Sequence, residues 1–171
     1  MATFKINGKN FATQDGTGAA TVHSDVVFPA GHVIQIVQNT YDTDISITRD
    51  GTYQSINLSQ AITPTSDSSK ILVFGQASGF ARLDTTNTGE VGFGIFAGGS
   101  LVYESETITR TQDNSSTYYA PTYFSVNYLH SPSTDSEITY EIKGKGNSAL
   151  HVFTFNRDSS NSSIILLEIS G

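Results

Sequence analysis

Hydrophobic and polar residues alternate in short segments along most of the chain. In residues 138–143, for example, the apolar side chains occupy the even positions and the polar side chains the odd ones. This period of two is that of a β-strand with one buried face. Turn-forming pairs such as Asp50-Gly51 and Gly98-Gly99 separate the segments. The pattern therefore predicts strands joined by tight turns.

The pattern recurs often enough to predict about ten short strands. No window of about 12 residues carries the apolar stripe of a helix. Residues 71–74 and 164–167 are apolar at every position, which is typical of strands covered on both faces. One covered face is then a candidate surface between subunits, although two sheets packed in a monomer explain the same pattern. The predicted fold class is all-β: an antiparallel, jelly-roll-like β-sandwich with a short N-terminal hairpin or arm.

The N-terminal part of the chain differs from the rest. Asn7-Gly8 favours a type I′ turn and so predicts a small hairpin. Residues 14–21 have no periodicity and many small side chains, which indicates a linker or an extended arm. Pro29-Ala30-Gly31 then precedes the first strong strand. We therefore divide the chain into an arm, residues 1–28, and a head, residues 29–171.

Length and charge limit the classes of partner. The 171 residues include 16 acidic and 9 basic side chains, for a net charge of −7, and this length corresponds to about one domain. Nucleic-acid backbones are bound by clustered Lys and Arg, so no nucleic-acid partner is expected. The chain has no Cys, which excludes a disulfide scaffold and a thiol nucleophile. No secretory signal is recognisable and no apolar run is long enough to span a bilayer, so no membrane insertion is expected.

Residue types that carry enzyme chemistry do not occur at the required spacing. The four histidines are not spaced as metal ligands. Asp42-Thr43-Asp44 begins like a calcium loop but lacks the loop's central glycine and final glutamate, so a polar turn is predicted and a lone calcium ion is left open. Gly92-Phe93-Gly94 lacks the third glycine of a dinucleotide turn, and its glycines are interpreted as room for an approaching ring or backbone. No enzyme activity and no cofactor are expected.

Three predicted loops are candidate recognition segments, because long loops on a rigid β scaffold often bind ligands. They span residues 81–90, 110–121 and 158–162. Tyrosine combines a flat apolar ring with a hydroxyl, which suits sugars and protein surfaces. The alternative is that the tyrosines of the second loop cover a core edge or begin the next strand. The candidate surface-recognition residues are Arg82, Asp84, Asn87, Asp113, Asn114, Tyr118 and Tyr119.

Four segments carry a resemblance to a known group of proteins. They are PAGHVIQIVQ at 29–38, ITPTSDSSKILV at 62–73, YLHSP at 128–132 and LLEISG at 166–171. Together, in this order, they resemble small virion proteins of tailed phages, especially phages of marine bacteria and cyanobacteria, which are described as tail-fibre or structural proteins. The resemblance covers residues 29–171. It implies a β-sandwich head, a location on the virion surface, on the tail or capsid, and a homotrimer.

This resemblance leads to two expected functions and a third alternative. The first is a trimeric tail-fibre or receptor-binding module whose loops contact a host-surface glycan or protein. Residues 1–28 would then attach it to other virion proteins, with Phe4, Ile6 and Phe11 as candidate anchoring residues. The second is a capsid decoration protein, of the cement or head-fibre kind, with the arm lying on the coat lattice. The third is a non-viral, lectin-like domain.

Overall fold

The structure is a computed structural model that describes most of the chain. The described residues are 2–14, 16–22, 26, 29–48, 50–83, 88–112, 118–146, 152–157 and 160–171. For residues 81–83, 88–89, 106–112, 118–120 and 152, the backbone alone is described. The chain divides into two compact units, Met1–His32 and Val33–Gly171.

The N-terminal unit is a three-stranded antiparallel sheet. Its strands are β1 (Ala2–Ile6), β2 (Lys9–Gln14) and β3 (Thr21–Val22), in the order β1-β2-β3. The β1–β2 turn has positive φ at both Asn7 and Gly8, as a type I′ turn requires, so the predicted hairpin is confirmed. Strand β3 lies at the end of the segment predicted as a linker or arm. Its β-branched pair, Thr and Val, joins the open edge of β2.

The head, Val33–Gly171, contains ten strands among the described residues. They are β4 (Val33–Tyr41), β5 (Ile45–Ile47), β6 (Gln54–Ile62), β7 (Lys70–Leu83), β8 (Thr88–Ala97), β9 (Ser100–Gln112), β10 (Tyr118–His130), β11 (Ile138–Gly146), β12 (Val152–Phe155) and β13 (Ser162–Ile169). The residues of the calcium-loop-like segment form the connection between β4 and β5, as expected for a polar turn.

The head strands form two sheets in jelly-roll order. Sheet I has the order β4-β13-β7-β10. In addition, β12 pairs with the second half of β7, and β5 pairs with β12. Sheet II has the order β6-β11-β8-β9. All pairs are antiparallel, and the chain passes between the sheets at β6, β7, β8, β10, β11 and β12. This double Greek key is the jelly-roll arrangement, so the predicted jelly-roll-like sandwich is confirmed.

The core lies between the inner faces of the two sheets. Alternate side chains of β7, β8, β11 and β13 fill it, among them Val73, Ile95, Ile142 and Leu166, all fully buried. Each such side chain contributes about 1.5–3 kcal/mol by leaving water. Glycines make room for the largest groups. A Cβ on Gly144 would lie 2.7 Å from Cζ of Phe155, so the absence of a side chain on β11 admits that ring.

A buried carboxylate ties the end of sheet I to the β6–β7 connection. Glu168 is fully buried on β13. Its oxygens accept hydrogen bonds from the Gln35 amide at 2.6 Å and from the Ser69 hydroxyl at 2.7 Å. The backbone N–H and the hydroxyl of Thr65 donate two more, each at 2.7 Å. Burial acts to raise the pKa of Glu168, but these hydrogen bonds outweigh it and hold the pKa below its ordinary value.

Replacing Glu168 with glutamine should destabilise the head, because an amide cannot accept four donors as a carboxylate does. We expect Glu168→Gln to lower the free energy of unfolding by about 3 kcal/mol and the melting temperature by about 8 °C. Glu141→Gln is the control, because Glu141 is partly exposed and pairs with Lys143 at 3.3 Å. It should cost under about 1 kcal/mol. Equal losses in thermal melts of the two variants would contradict the assigned role of Glu168.

The wild type and the Glu168→Gln variant also allow a test of the pH dependence of stability. The folded-state pKa of Glu168 is lowered, so its stabilising contribution is complete above the unfolded-state pKa of about 4.3. That contribution is lost as the pH falls through the folded-state pKa. The difference in melting temperature between wild type and Glu168→Gln should therefore narrow in acid. A difference that widens in acid would contradict the sign of the shift.

Candidate functional site

The two sheets of the head present chemically different outer faces. On sheet II, Lys145 pairs with Glu104 and its ammonium lies 4.8 Å from the centre of the Tyr53 ring. The Tyr53 hydroxyl donates to Glu104 at 2.7 Å. Hydrogen bonds from Lys145 and Tyr53 lower the pKa of the Glu104 carboxyl. Lys143 pairs with Glu141 beside this group. Sheet II thus has a charged outer face of the kind that stays in water.

The outer face of sheet I carries rows of uncharged side chains in register across four strands. One row is apolar throughout and consists of Ile36, Leu167, Leu72 and Leu129. The next row consists of Gln38, Ile165, Phe74 and Asn127, and the third of Thr40, Ser163, Gln76 and Ser125. Amides and hydroxyls are the polar groups of these rows. None of the three rows contains a charged residue.

Six of these side chains form what we call the apolar belt: Ile36, Leu72, Phe74, Leu129, Ile165 and Leu167. Ile36 is 61% exposed and Leu129 48% exposed, at the two edges of the sheet. Leu72, Ile165 and Leu167 are half-buried between them. Contiguous exposed apolar groups without charge are typical of the buried centre of a protein–protein contact. The belt is therefore the candidate interaction surface of the head.

The belt explains the two segments that are apolar at every position. In residues 71–74 and 164–167, alternate side chains enter the core and the others reach the outer face. Ile71, Val73, Ile164 and Leu166 are fully buried, while their neighbours belong to the belt. These segments therefore form an apolar inner face and an apolar outer face of sheet I, and a single head can bury just the inner one.

Three of the seven predicted recognition residues lie where β7 and β10 pair farthest from the belt. Tyr119 pairs with Arg82, and Tyr118 with Leu83. Arg82 was expected in a loop, and that expectation is wrong because Arg82 lies in β7. For Tyr118 and Tyr119, the alternative that they begin the next strand is confirmed. Thr and Tyr favour extended backbone, so the strands continue beyond the core. Asp84, Asn87, Asp113 and Asn114 lie outside the described residues.

The predicted anchoring residues are exposed on the N-terminal sheet. Phe4 is 60% exposed, and Ile6 and Phe11 are also exposed. The rings of Phe4 and Phe11 meet edge to face with centroids 5.8 Å apart. Val22 on β3 is exposed as well, and the sequence analysis missed it because it did not predict a third strand. This unit therefore holds several large apolar side chains in water.

His130 and Tyr140 form a further polar contact within the head. The His130 ring nitrogen Nδ1 lies 2.8 Å from the Tyr140 hydroxyl. Burial lowers the pKa of His130 and raises that of Tyr140. No group of three or more His, Asp or Glu side chains within the described ranges is arranged to hold a metal ion. The described part of the chain also contains no helix that is long and apolar enough to cross a membrane.

Comparisons with known proteins give little beyond this geometry. No protein-family model matches the chain, and no curated protein matches it. Among solved structures, a chain from the "Structure of infectious bursal disease virus Gx strain" is similar with a TM-score of 0.39 and 12% sequence identity. The match covers 100% of the present chain, which spans 42% of that chain. A likeness at this TM-score carries no argument about function.

Substituting one isoleucine on each face should separate the core from the belt. Ile164 is fully buried and Ile36 is 61% exposed, and threonine keeps the β-branched shape in both places. We expect Ile164→Thr to lower the free energy of unfolding by about 3 kcal/mol, because it buries a hydroxyl and leaves a gap. Ile36→Thr should cost under about 1 kcal/mol in dilute protein. Urea unfolding measures both, and equal losses would contradict the assignment of the faces.

Proposed function

We propose that this chain is a non-enzymatic structural protein of a phage virion, and specifically a trimeric tail-fibre or receptor-binding module. The observation that carries the proposal is the apolar belt among three uncharged rows of one sheet, in a jelly-roll head whose opposite outer face is charged. The resemblance of residues 29–171 to small phage virion proteins supplies the class of particle and the number of subunits.

The lack of charge in the three rows favours other copies of the same chain as the partner that covers the belt. A chain with a net charge of −7 repels its own copies at long range. Contact through the three rows that carry no charge avoids placing like charges against each other and avoids desolvating them. The amides and hydroxyls beside the belt, such as Gln38 and Asn127, can both donate and accept hydrogen bonds. Such groups can therefore pair with the same groups on another copy.

A threefold arrangement requires the belt of each copy to contact a different surface of the next copy. That neighbouring surface is open to test, whereas a twofold arrangement would place belt against belt. We favour three copies because of the resemblance. In the proposed module, the ends of β7 and β10 that hold Arg82, Tyr118 and Tyr119 contact a host-surface glycan or protein.

The N-terminal unit is proposed as the attachment segment. A unit of this size rarely has enough core to be stable without a disulfide, a metal ion or a partner. The chain has no Cys, and large side chains such as Phe4, Ile6 and Phe11 are exposed on this sheet. Contact with another virion protein would bury these side chains and stabilise the sheet.

The alternative function is capsid decoration. The described residues form one head and one small sheet and include no extended shaft, which is compatible with a site on a coat lattice. Position and copy number distinguish the two functions. Antibody labelling of purified particles should mark the tail for a fibre and the whole capsid surface for a decoration protein, whereas absence of the chain from particles would refute both.

Attachment should depend on the aromatic pair of the N-terminal sheet. We expect Phe4→Ser combined with Phe11→Ser to remove the protein from purified particles, because the apolar contact with the virion is lost. The control is Lys5→Ser combined with Lys9→Ser, which changes exposed side chains on the same two strands and should leave incorporation unchanged. The melting temperature of the head should be unchanged in both variants. Normal incorporation of the phenylalanine variant, measured by quantitative mass spectrometry, would contradict the anchoring role.

A further inference from the structure

A polar groove lies on the outer face of sheet I, midway along β7 and β10, next to the row that contains Phe74 and Asn127. Its volume is about 450 Å³, which is within the usual size range of small-molecule sites. Strand β7 contributes Gln76 and Ser78, strand β10 contributes Tyr123 and Ser125, and the β12–β13 connection contributes Ser160 and Asn161. The groove therefore combines one aromatic ring with hydroxyls and amides.

Tyr123 is the feature that needs explaining. It is 80% exposed, more than any other large apolar side chain among the described residues. Within the described residues its hydroxyl makes no hydrogen bond. It pairs across the strands with Ser78, whose small side chain leaves the adjacent side of the ring open. A ring held in water beside a groove gains free energy when a ligand covers it.

The rim of the groove is held in place by several hydrogen bonds. The Ser78 hydroxyl donates to the Ser160 hydroxyl at 2.6 Å. The Asn156 backbone N–H donates to the Ser78 carbonyl at 3.0 Å. Asn156 is fully buried with a φ of 57°, its side-chain amide donates to the Thr43 carbonyl at 3.2 Å, and its oxygen accepts from Ser162. A preformed rim lowers the entropic cost of binding.

The chemistry of the lining identifies the class of ligand. Among the described residues, no charged side chain lines the groove, so phosphates, carboxylates and basic peptides would find no counter-charge in this lining. Residues 76–78 of β7 already pair with residues 123–125 of β10, so an extended peptide in the groove could not pair with β7 on that side. A sugar ring needs neither a counter-charge nor a free strand edge. Its apolar face can pack on an aromatic ring, and its hydroxyls can form hydrogen bonds with amides and hydroxyls of the protein.

We propose that this groove binds a neutral pyranose sugar. One face of the sugar ring packs on the Tyr123 ring, and the sugar hydroxyls exchange hydrogen bonds with the side chains of Gln76 and Asn161. The site lies about 20 Å along the strands from Leu129 of the belt, at the strand rise of 3.3 Å per residue. The inference goes beyond the virion proposal and does not depend on it, because it applies equally to a head that is not part of a particle.

Saturation-transfer NMR on the full chain tests this site directly. The probes are the methyl glycosides of glucose, galactose and mannose and N-acetylglucosamine, each at millimolar concentration. We expect at least one of them to receive saturation, with the strongest transfer to the ring protons of one sugar face. Tyr123→Ala should weaken binding about tenfold or more, and Tyr123→Phe should retain it because the ring is kept.

Two further variants distinguish a local effect on the groove from a general loss of sugar binding. Gln76→Ala should weaken binding several-fold, because it removes an amide without touching the ring. Leu101→Ala changes an exposed side chain on sheet II, outside both the groove and the belt, and binding should be unchanged. Absence of transfer to every neutral sugar would overturn the proposal, as would full binding by Tyr123→Ala. Preferential transfer to an uncharged control peptide would overturn it in favour of a peptide site.

Discussion

The structure depends on one constraint: residues 71–74 of β7 and 164–167 of β13 are apolar at every position. A single jelly-roll head can bury just one of the two faces that these side chains form. The inner side chains, such as Val73 and Leu166, meet sheet II and form the core. The outer side chains, such as Leu72 and Leu167, form a row across the whole sheet. Sheet II solves the same problem differently, with Lys143, Lys145 and their carboxylate partners on its outer face. The asymmetry between the two sheets is the reason why we propose the outer face of sheet I as an interaction surface.

Much of this fold could be predicted because alternation is a local property. The period of two along residues 138–143 gives β11 and its buried face without any knowledge of its neighbours. The order of strands, and therefore the belt, could not be predicted in this way, because Ile36, Leu167, Leu72 and Leu129 meet through pairings between distant parts of the chain. The segments rich in Thr and Tyr were taken for loops, yet Arg82, Tyr118 and Tyr119 continue the strands.

The candidate attachment site and the groove at Tyr123 differ in how far they could be predicted from the sequence. Phe4, Ile6 and Phe11 were chosen from the sequence as anchoring residues; they are exposed, and their anchoring role stays a prediction. Tyr123 was not identified, because its alternation with buried Phe124 made it an ordinary outward-facing residue. Its significance comes from Ser78 opposite it and from the Ser160 connection beside it, which are set by the register of β10 on β7 and by the buried Asn156 turn. A binding groove of this kind is a property of the sheet rather than of a motif.

The central claim is that copies of this chain cover the belt of one another, and the mass of the protein in solution tests it most directly. Light scattering should give three times the chain mass of 18.4 kDa for the wild type across a range of concentrations. Leu129→Glu, which places a charge on the belt, should give the mass of a single chain, whereas Thr139→Glu on the outer face of sheet II should leave the mass of the wild type unchanged. A wild type that stays at 18.4 kDa even when concentrated would contradict the account.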